Sequence, residues 1–313
     1  MPKAVPDRTE IRRLAAAISA CCPGDGRFEQ RVRGVFAIRV SRRYPEPVHA
    51  MQRPALCLIA QGSKTVMLGR ETIRYEASRM TVYSVDVPLS GQVTVASASE
   101  PYLCFMLDID PEKVAELALR AFPHGSTVPR QSQAVYISQA DTHIINAAAR
   151  LLELTAEPDK ASLIGPLIVD EILIRLLQSP VGACVAQIGL SHSKLYNVAK
   201  AVTWLRSHFT DPMKISQLAT LANMSVSSFY QHFKSATSMS PLQYQKTLRL
   251  QEARRLMVST RMDIGIASDR VGYASVSQFS REYARLFGAA PTRDVARLTQ
   301  EFTLNHAEID PNA

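Results

Sequence analysis

Histidine is almost missing from the first 123 residues, where His49 stands alone. β-Barrel metalloenzymes hold their ion with clustered His and Glu on neighbouring strands, so three-histidine metal chemistry is excluded there. Cysteine is scarce as well. Its five copies (Cys21, Cys22, Cys57, Cys104, Cys184) show no metal-type spacing beyond one adjacent pair. An odd, scattered set fits reduced thiols better than a disulfide framework or a clustered zinc site. No nucleophile elbow, phosphate loop or H-E-x-x-H is present, so no catalytic residue, metal or cofactor is expected and the chain does not read as an enzyme. Long apolar runs are lacking too: 161–177 is broken by Pro166, Asp170, Glu171 and Arg175, which argues against a membrane span. The N-terminal MPKAVPDRTEIRR has no apolar segment before a small-residue cleavage site. A cytoplasmic protein is expected.

What is present describes a globular chain. Its 313 residues suffice for about two domains, and 46% hydrophobic against 20% charged residues is far from a disordered composition. The net charge of +8 is unevenly placed: residues 191–298 hold 15 Lys/Arg against 6 Asp/Glu, whereas residues 1–190 hold 21 against 19. Positive potential concentrated on one segment is what phosphate binding requires.

Texture changes along the chain in the same way. Residues 8–20 read as a short amphipathic helix with Asp7 as N-cap. From 34 to 108, GVFAIRV, ALCLIAQ, KTVML, ETIRYEA, MTVYSVD, GQVTVAS and YLCFMLDI are short β-rich runs between Gly, Pro, Ser and charged breaks. That pattern predicts an antiparallel sandwich or barrel, a natural container for a small ligand. Helical periodicity takes over at 111–178, where Pro166 is expected to kink or divide a helix. Residues 181–193 read as a linker, followed by short helices over 194–298 and a tail at 299–313. The fold class is therefore α+β, with a β-rich effector and dimerisation domain over 1–180 and an all-α C-terminal domain.

That C-terminal segment is duplicated. SVSSFYQHFKSATSMSP (225–241) aligns without a gap with SVSQFSREYARLFGAAP (275–291), at an offset of fifty residues. Two copies of one unit suggest a device spaced along a periodic partner such as DNA. Phe229 and Phe233, four apart, must share one buried helix face. This leaves Ser227, Ser228, Tyr230, Gln231 and Lys234 outside. In the second copy Phe279, Tyr283 and Leu286 take the inner face, leaving Ser277, Gln278, Arg281 and Arg285 outside. Hydroxyls, amides and cations are what base edges and phosphates accept. Ser275 with Gln278 has the capping-box spacing, and Gly272 suits a turn at positive φ. The turns differ: Ala219 to Ser225 is six residues, Ala267 to Ser275 is eight.

Residues 194–298 resemble the DNA-binding domain of the AraC/XylS family of bacterial transcription regulators. The resemblance rests on I-x-x-L-A (215–219), M-S-x-x-x-F-x-x-x-F-K (224–234), S-P-x-x-Y (240–244), A-R-R-L (253–256) and V-G-Y…F-S-R…F-G-x-x-P (271–291). It implies two helix-turn-helix units. The first reads DNA through Ser227, Tyr230, Gln231 and Lys234, the second through Ser277, Gln278 and Arg281. Val276 stands where the family usually carries a polar residue. PALCLIAQGSKTVMLG, MTVYSVDVPLSGQV and ASASEPYLCFMLDID (within about 35–180) resemble the effector domain of one branch of that family. This implies a cupin-like β-barrel followed by dimerisation helices.

The expected partners are double-stranded promoter DNA, a small-molecule effector, a second copy of the chain and RNA polymerase, with no membrane. Sequence-specific regulation controlled by the effector is the reading. A β-barrel enzyme with a DNA-binding tail, or an architectural DNA-binding protein without sequence preference, are the competing classes. Cys57 and Cys104 lie in strand-like runs and would react with an oxidant or electrophile if their thiolates were stabilised; otherwise they are small buried hydrophobes.

Overall fold

The computed structural model describes residues 7–69, 71–123 and 132–307. The chain forms two compact units, Met1–Val202 with Leu218–Met239, and Thr203–Gln217 with Ser240–Ala313.

In the first unit, helix α1 (Arg8–Ala20) is capped by Asp7, whose carboxylate accepts from Thr9 N–H. Ten strands follow: β1 (Gly26–Glu29), β2 (Val35–Val40), β3 (Val48–Gln52), β4 (Ala55–Gln61), β5 (Ser63–Leu68), β6 (Glu71–Glu76), β7 (Arg79–Tyr83), β8 (Val87–Val95), β9 (Tyr102–Asp108) and, after helix α2 (Pro111–Ala121), β10 (Val135–Gln139). They make an antiparallel six-stranded sheet, β1-β2-β9-β4-β7-β10, and an antiparallel four-stranded sheet, β3-β8-β5-β6. The β-rich N-terminal domain is thus built from two open sheets. Strands β1 and β10 lie outside the 34–108 window read from the sequence.

Pleating assigns the faces. In β9, Leu103, Phe105 and Leu107 lie on one side, where α1 packs through Leu14, Ala17 and Ile18. Tyr102, Cys104 and Met106 lie on the other. The two sheets are joined across the interior by the Tyr75 and Tyr83 hydroxyls, 2.9 Å apart and buried.

Helices α3 (Thr142–Glu153), α4 (Pro158–Leu177) and α5 (Gly182–Gly189) complete this layer. Pro166 sits inside α4 without dividing it. Of the two expected effects, division does not occur; Ile168, Ile172, Leu173 and Leu176 are buried beyond the proline and hold the helix in place. The stretch read as a linker contains α5, with Val185 and Ala186 fully buried; its small residues permit close packing, and Gly189 approaches the Pro111 carbonyl.

The remaining helices are α6 (Lys194–Ser207), α7 (Ile215–Leu221), α8 (Val226–Thr237), α9 (Pro241–Thr260), α10 (Ile264–Arg270), α11 (Val276–Phe287) and α12 (Pro291–Ala307). The offset of fifty is structural: α8 and α11 span matching positions, and α9 and α12 both begin at a proline. Their preceding helices end in left-handed residues, Ser238 (φ 55°) and Gly288 (φ 78°).

Candidate nucleic-acid interface

Each duplicated unit is a short helix, a tight turn and a twelve-residue helix. In the first, Met224 N–H donates to the Ala219 carbonyl and Asn223 adopts φ 51°. In the second, Tyr273 N–H donates to the Ser268 carbonyl and Gly272 adopts φ 85°. Both are six-to-one closures around a left-handed residue, the Schellman arrangement. Ala219 therefore corresponds to Ser268, not to Ala267. The second turn exceeds the first by one residue, where the sequence comparison had suggested two.

Ser225 and Ser275 begin the longer helices, their hydroxyls accepting from Ser228 N–H and Gln278 N–H. The predicted capping box at Ser275 is half made: its hydroxyl accepts from Gln278 N–H, while the Gln278 side chain is turned to Glu282, its amide donating to Oε1 at 3.1 Å. The complete box is at Ser240 and Gln243, at the start of α9.

Burial divides α8 and α11 as the spacing predicts except at the end of α11, where Phe287 is buried and Leu286 only partly. Phe229, Phe233, Phe279 and Tyr283 are fully buried, and each pair of rings is tilted, with centroids 5.4 and 5.5 Å apart. They are core, so base stacking is not their role. Ser227, Tyr230, Gln231 and Lys234 are exposed on α8; Ser277, Gln278, Arg281 and Arg285 are exposed on α11. Among the described residues, no carboxylate pairs with Lys234, Arg281 or Arg285. Sequence reasoning passed over Val226 and took Val276 only as a departure from the family's polar residue; the two occupy equivalent first-turn positions and are 49% and 47% exposed. Their signal was the recurrence of an apolar residue just after the N-cap serine.

Other cations of the second unit are committed to its framework. Arg249 on α9 donates to the carbonyls of Phe209 (2.6 Å), Thr210 (2.9 Å) and Gly272 (2.7 Å), and Gln245 donates to those of Phe209 and Asp211. One guanidinium thereby ties the loop after α6 to the turn between α10 and α11. Asp294 is fully buried and receives Arg254 through two bonds (2.7 and 2.8 Å), Arg297 (2.7 Å) and the Tyr283 hydroxyl (2.7 Å). Burial works against its charge, but these donors hold its carboxyl below the usual range.

Glu282 is similar. Burial opposes its ionisation, yet hydrogen bonds from Lys246, Gln278 and the Tyr273 hydroxyl keep its carboxyl low. The network fixes Gln278 from behind and leaves its amide oxygen available. Both carboxylates escaped sequence reasoning, since their partners lie up to 40 residues away.

A cavity of about 520 Å³ opens beside β10 and α4, lined among others by Arg79, Met80, Ile137, His143, Arg175 and Gln178. It lies at the edge of the six-stranded sheet, not between the sheets. Among the described residues no group of three or more His, Cys, Asp or Glu is placed to hold a metal ion, and no helix is long and apolar enough to cross a membrane.

Comparison with known proteins places these features. The family described as the AraC-type transcriptional regulator N-terminus matches residues 31–184, and a helix-turn-helix domain matches residues 218–297. The probable transcriptional regulator LumQ of Photobacterium leiognathi is 29% identical over 97 residues, covering 31% of this chain and 39% of LumQ. The RCS-specific HTH-type transcriptional activator RclR of Escherichia coli K12 is 31% identical over 111 residues, covering 36% of this chain and 38% of RclR. The chain thus matches well under half the length of these relatives. Among solved structures, ToxT of Vibrio cholerae O395 bound to (E)-4-(8-methylnaphthalen-1-yl)but-3-enoic acid superposes with a TM-score of 0.55 at 11% identity. That match covers 85% of this chain and 98% of ToxT, and at such identity it speaks for the fold alone. With an AraC-type N-terminus followed by two helix-turn-helix units, the chain belongs to the AraC/XylS family of transcriptional regulators.

Proposed function

We propose that the protein is a sequence-specific DNA-binding regulator that lays α8 and α11 into successive major grooves. One observation carries this reading: two helices related by an offset of fifty each bury one aromatic face. Each turns outward a surface of hydroxyls, amides and unpaired cations. Lys234, Arg281 and Arg285 supply salt-dependent affinity for phosphates. Ser227, Tyr230, Gln231, Ser277, Gln278 and Arg281 supply discrimination at base edges, and Val226 and Val276 suit contact with thymine methyl groups.

The domain plan follows: residues 1–180 sense and dimerise, 181–193 connect, 194–298 bind DNA and 299–313 form a tail. The small-molecule effector binds in the N-terminal β-rich domain. The acid bound by ToxT makes carboxylic acids the first effectors to try, with a rise in melting temperature as the readout. Self-association is supported by α4, where Leu163, Ile164 and Leu167 are 75%, 42% and 66% exposed on neighbouring turns. RNA polymerase is a further partner of the DNA-bound form.

Replacing Arg281 by Ala tests the interface. Binding to a specific site is expected to weaken by about 1–3 kcal/mol, with discrimination relaxed at one base pair. Unchanged affinity across salt concentrations would remove Arg281 from the interface.

A further inference from the structure

Inside the N-terminal domain, Cys57 on β4 and Cys104 on β9 meet on one face of the six-stranded sheet. Cys57 pairs with Met106 and Ile59 with Cys104, so the cysteines are diagonal neighbours whose side chains point to the same side. That side is the interior between the sheets. Cys104 is 2% exposed, while Cys57 keeps part of its surface open. The Cys104 thiol donates to the Phe105 carbonyl at 3.3 Å.

A cation faces them. Lys64 on β5 is the cross-strand partner of Tyr75 and of Val93, which places it on the inner face of the opposite sheet. Its stem lies against Gly91: a Cβ there would stand 2.6 Å from Lys64 Cε and 3.1 Å from Nζ. Gly91 is not at a positive φ, so the conformational freedom of glycine does not account for it. Room for the lysine does. Its ammonium favours the thiolate form of both cysteines.

We propose that Cys57 and Cys104 form an oxidisable dithiol in the interior of the β-rich domain, with a small hydroperoxide as oxidant. The two sulfurs have different parts. The neighbouring Cys57 and Tyr102 side chains, together with Lys64, hold the Cys104 thiol below its usual range against the effect of burial. The neighbouring Cys104, and burial, push Cys57 well up. Cys104 is therefore the attacking sulfur and Cys57 the resolving one.

The Cys104 thiolate attacks one peroxide oxygen, the O–O bond breaks, and the displaced hydroxide takes up a proton to leave as water. The Cys57 sulfur then attacks the sulfenic sulfur. The S–O bond breaks, a second water leaves and the S–S bond forms. Two thiols are oxidised and one hydrogen peroxide is reduced to two waters. Diagonal cross-strand Cα atoms lie roughly 7–8 Å apart, and a disulfide spans at most about 7 Å. The link draws β4 and β9 together and is readily reduced. Burial confines the chemistry to small neutral oxidants and leaves glutathione disulfide outside.

The full-length protein treated with stoichiometric hydrogen peroxide is expected to yield a Cys57–Cys104 linked peptide by non-reducing mass spectrometry, reversed by dithiothreitol. Glutathione disulfide should yield none. With Cys57→Ser, the sulfenic acid persists at Cys104 and is trapped by dimedone; with Cys104→Ser, Cys57 stays unlabelled at the same dose. Lys64→Met should slow formation of the link, because the ammonium that favours the attacking thiolate is gone. Wild-type protein in which Cys57 and Cys104 stay reduced after treatment, whether or not Cys21, Cys22 or Cys184 is oxidised, would overturn the proposal. Because the primary readout uses the wild-type chain, a variant that fails to fold does not decide the outcome.

Discussion

The side chain of Asp294 shows how one residue links sequence to stability in this protein. It is a fully buried carboxylate with two arginines and a tyrosine hydroxyl around it. Replacing it with Asn strands those donors at nearly unchanged volume, and breaking a buried pair in this way costs about 3–5 kcal/mol. Chemical denaturation of Asp294→Asn is expected to show that loss. Its folded carboxyl titrates below the unfolded one, so its contribution is complete above about pH 4–5 and fades as pH falls through the folded value. The variant should accordingly lose part of the acid sensitivity of the wild type; identical acid unfolding midpoints would contradict this. Arg281 is the opposite case. Exposed and unpaired, it should affect DNA affinity and leave the unfolding midpoint within about 0.5 kcal/mol of wild type.

Among elements, the turn before α11 carries the sharpest prediction. Gly272 adopts φ 85°, and a Cβ there would lie 2.5 Å from the Thr210 carbonyl and 3.0 Å from Arg249 Nη2. Gly272→Ala should destabilise the second unit by at least about 2 kcal/mol, from left-handed strain and displacement of the Arg249 bonds together. A thermal shift under 1 °C would show the turn to be more yielding than its contacts imply.

The same elements show what the sequence made legible. The repeat at fifty, the four-residue aromatic spacing and the glycine turn are local patterns, and each fixed a helix or its buried face. Arg249 was not legible, because its acceptors are backbone carbonyls 23 to 40 residues away. Backbone acceptors leave no mark on residue type. Ser275 was misread for a related reason: the Gln278 side chain is drawn to Glu282, one turn on, and not back to the Ser275 N–H. The division of the strands between two open sheets depends on long-range pairing such as β10 with β7, which no local alternation encodes.

For the whole molecule, two properties follow from how surface and charge are distributed. If α4 joins two copies, sedimentation at micromolar concentration should show a dimer, and Leu163→Glu with Leu167→Glu should convert it to monomer with the fold retained. A wild-type monomer under those conditions would contradict self-association. The central claim is that the paired units read double-stranded DNA, and footprinting on the gene's own upstream region tests it most directly. The account predicts two protected major-groove patches on one face of the duplex, about 34 Å apart, with Arg281→Ala weakening only the patch read by α11. Uniform protection along the fragment, or no protection at low ionic strength, would contradict it.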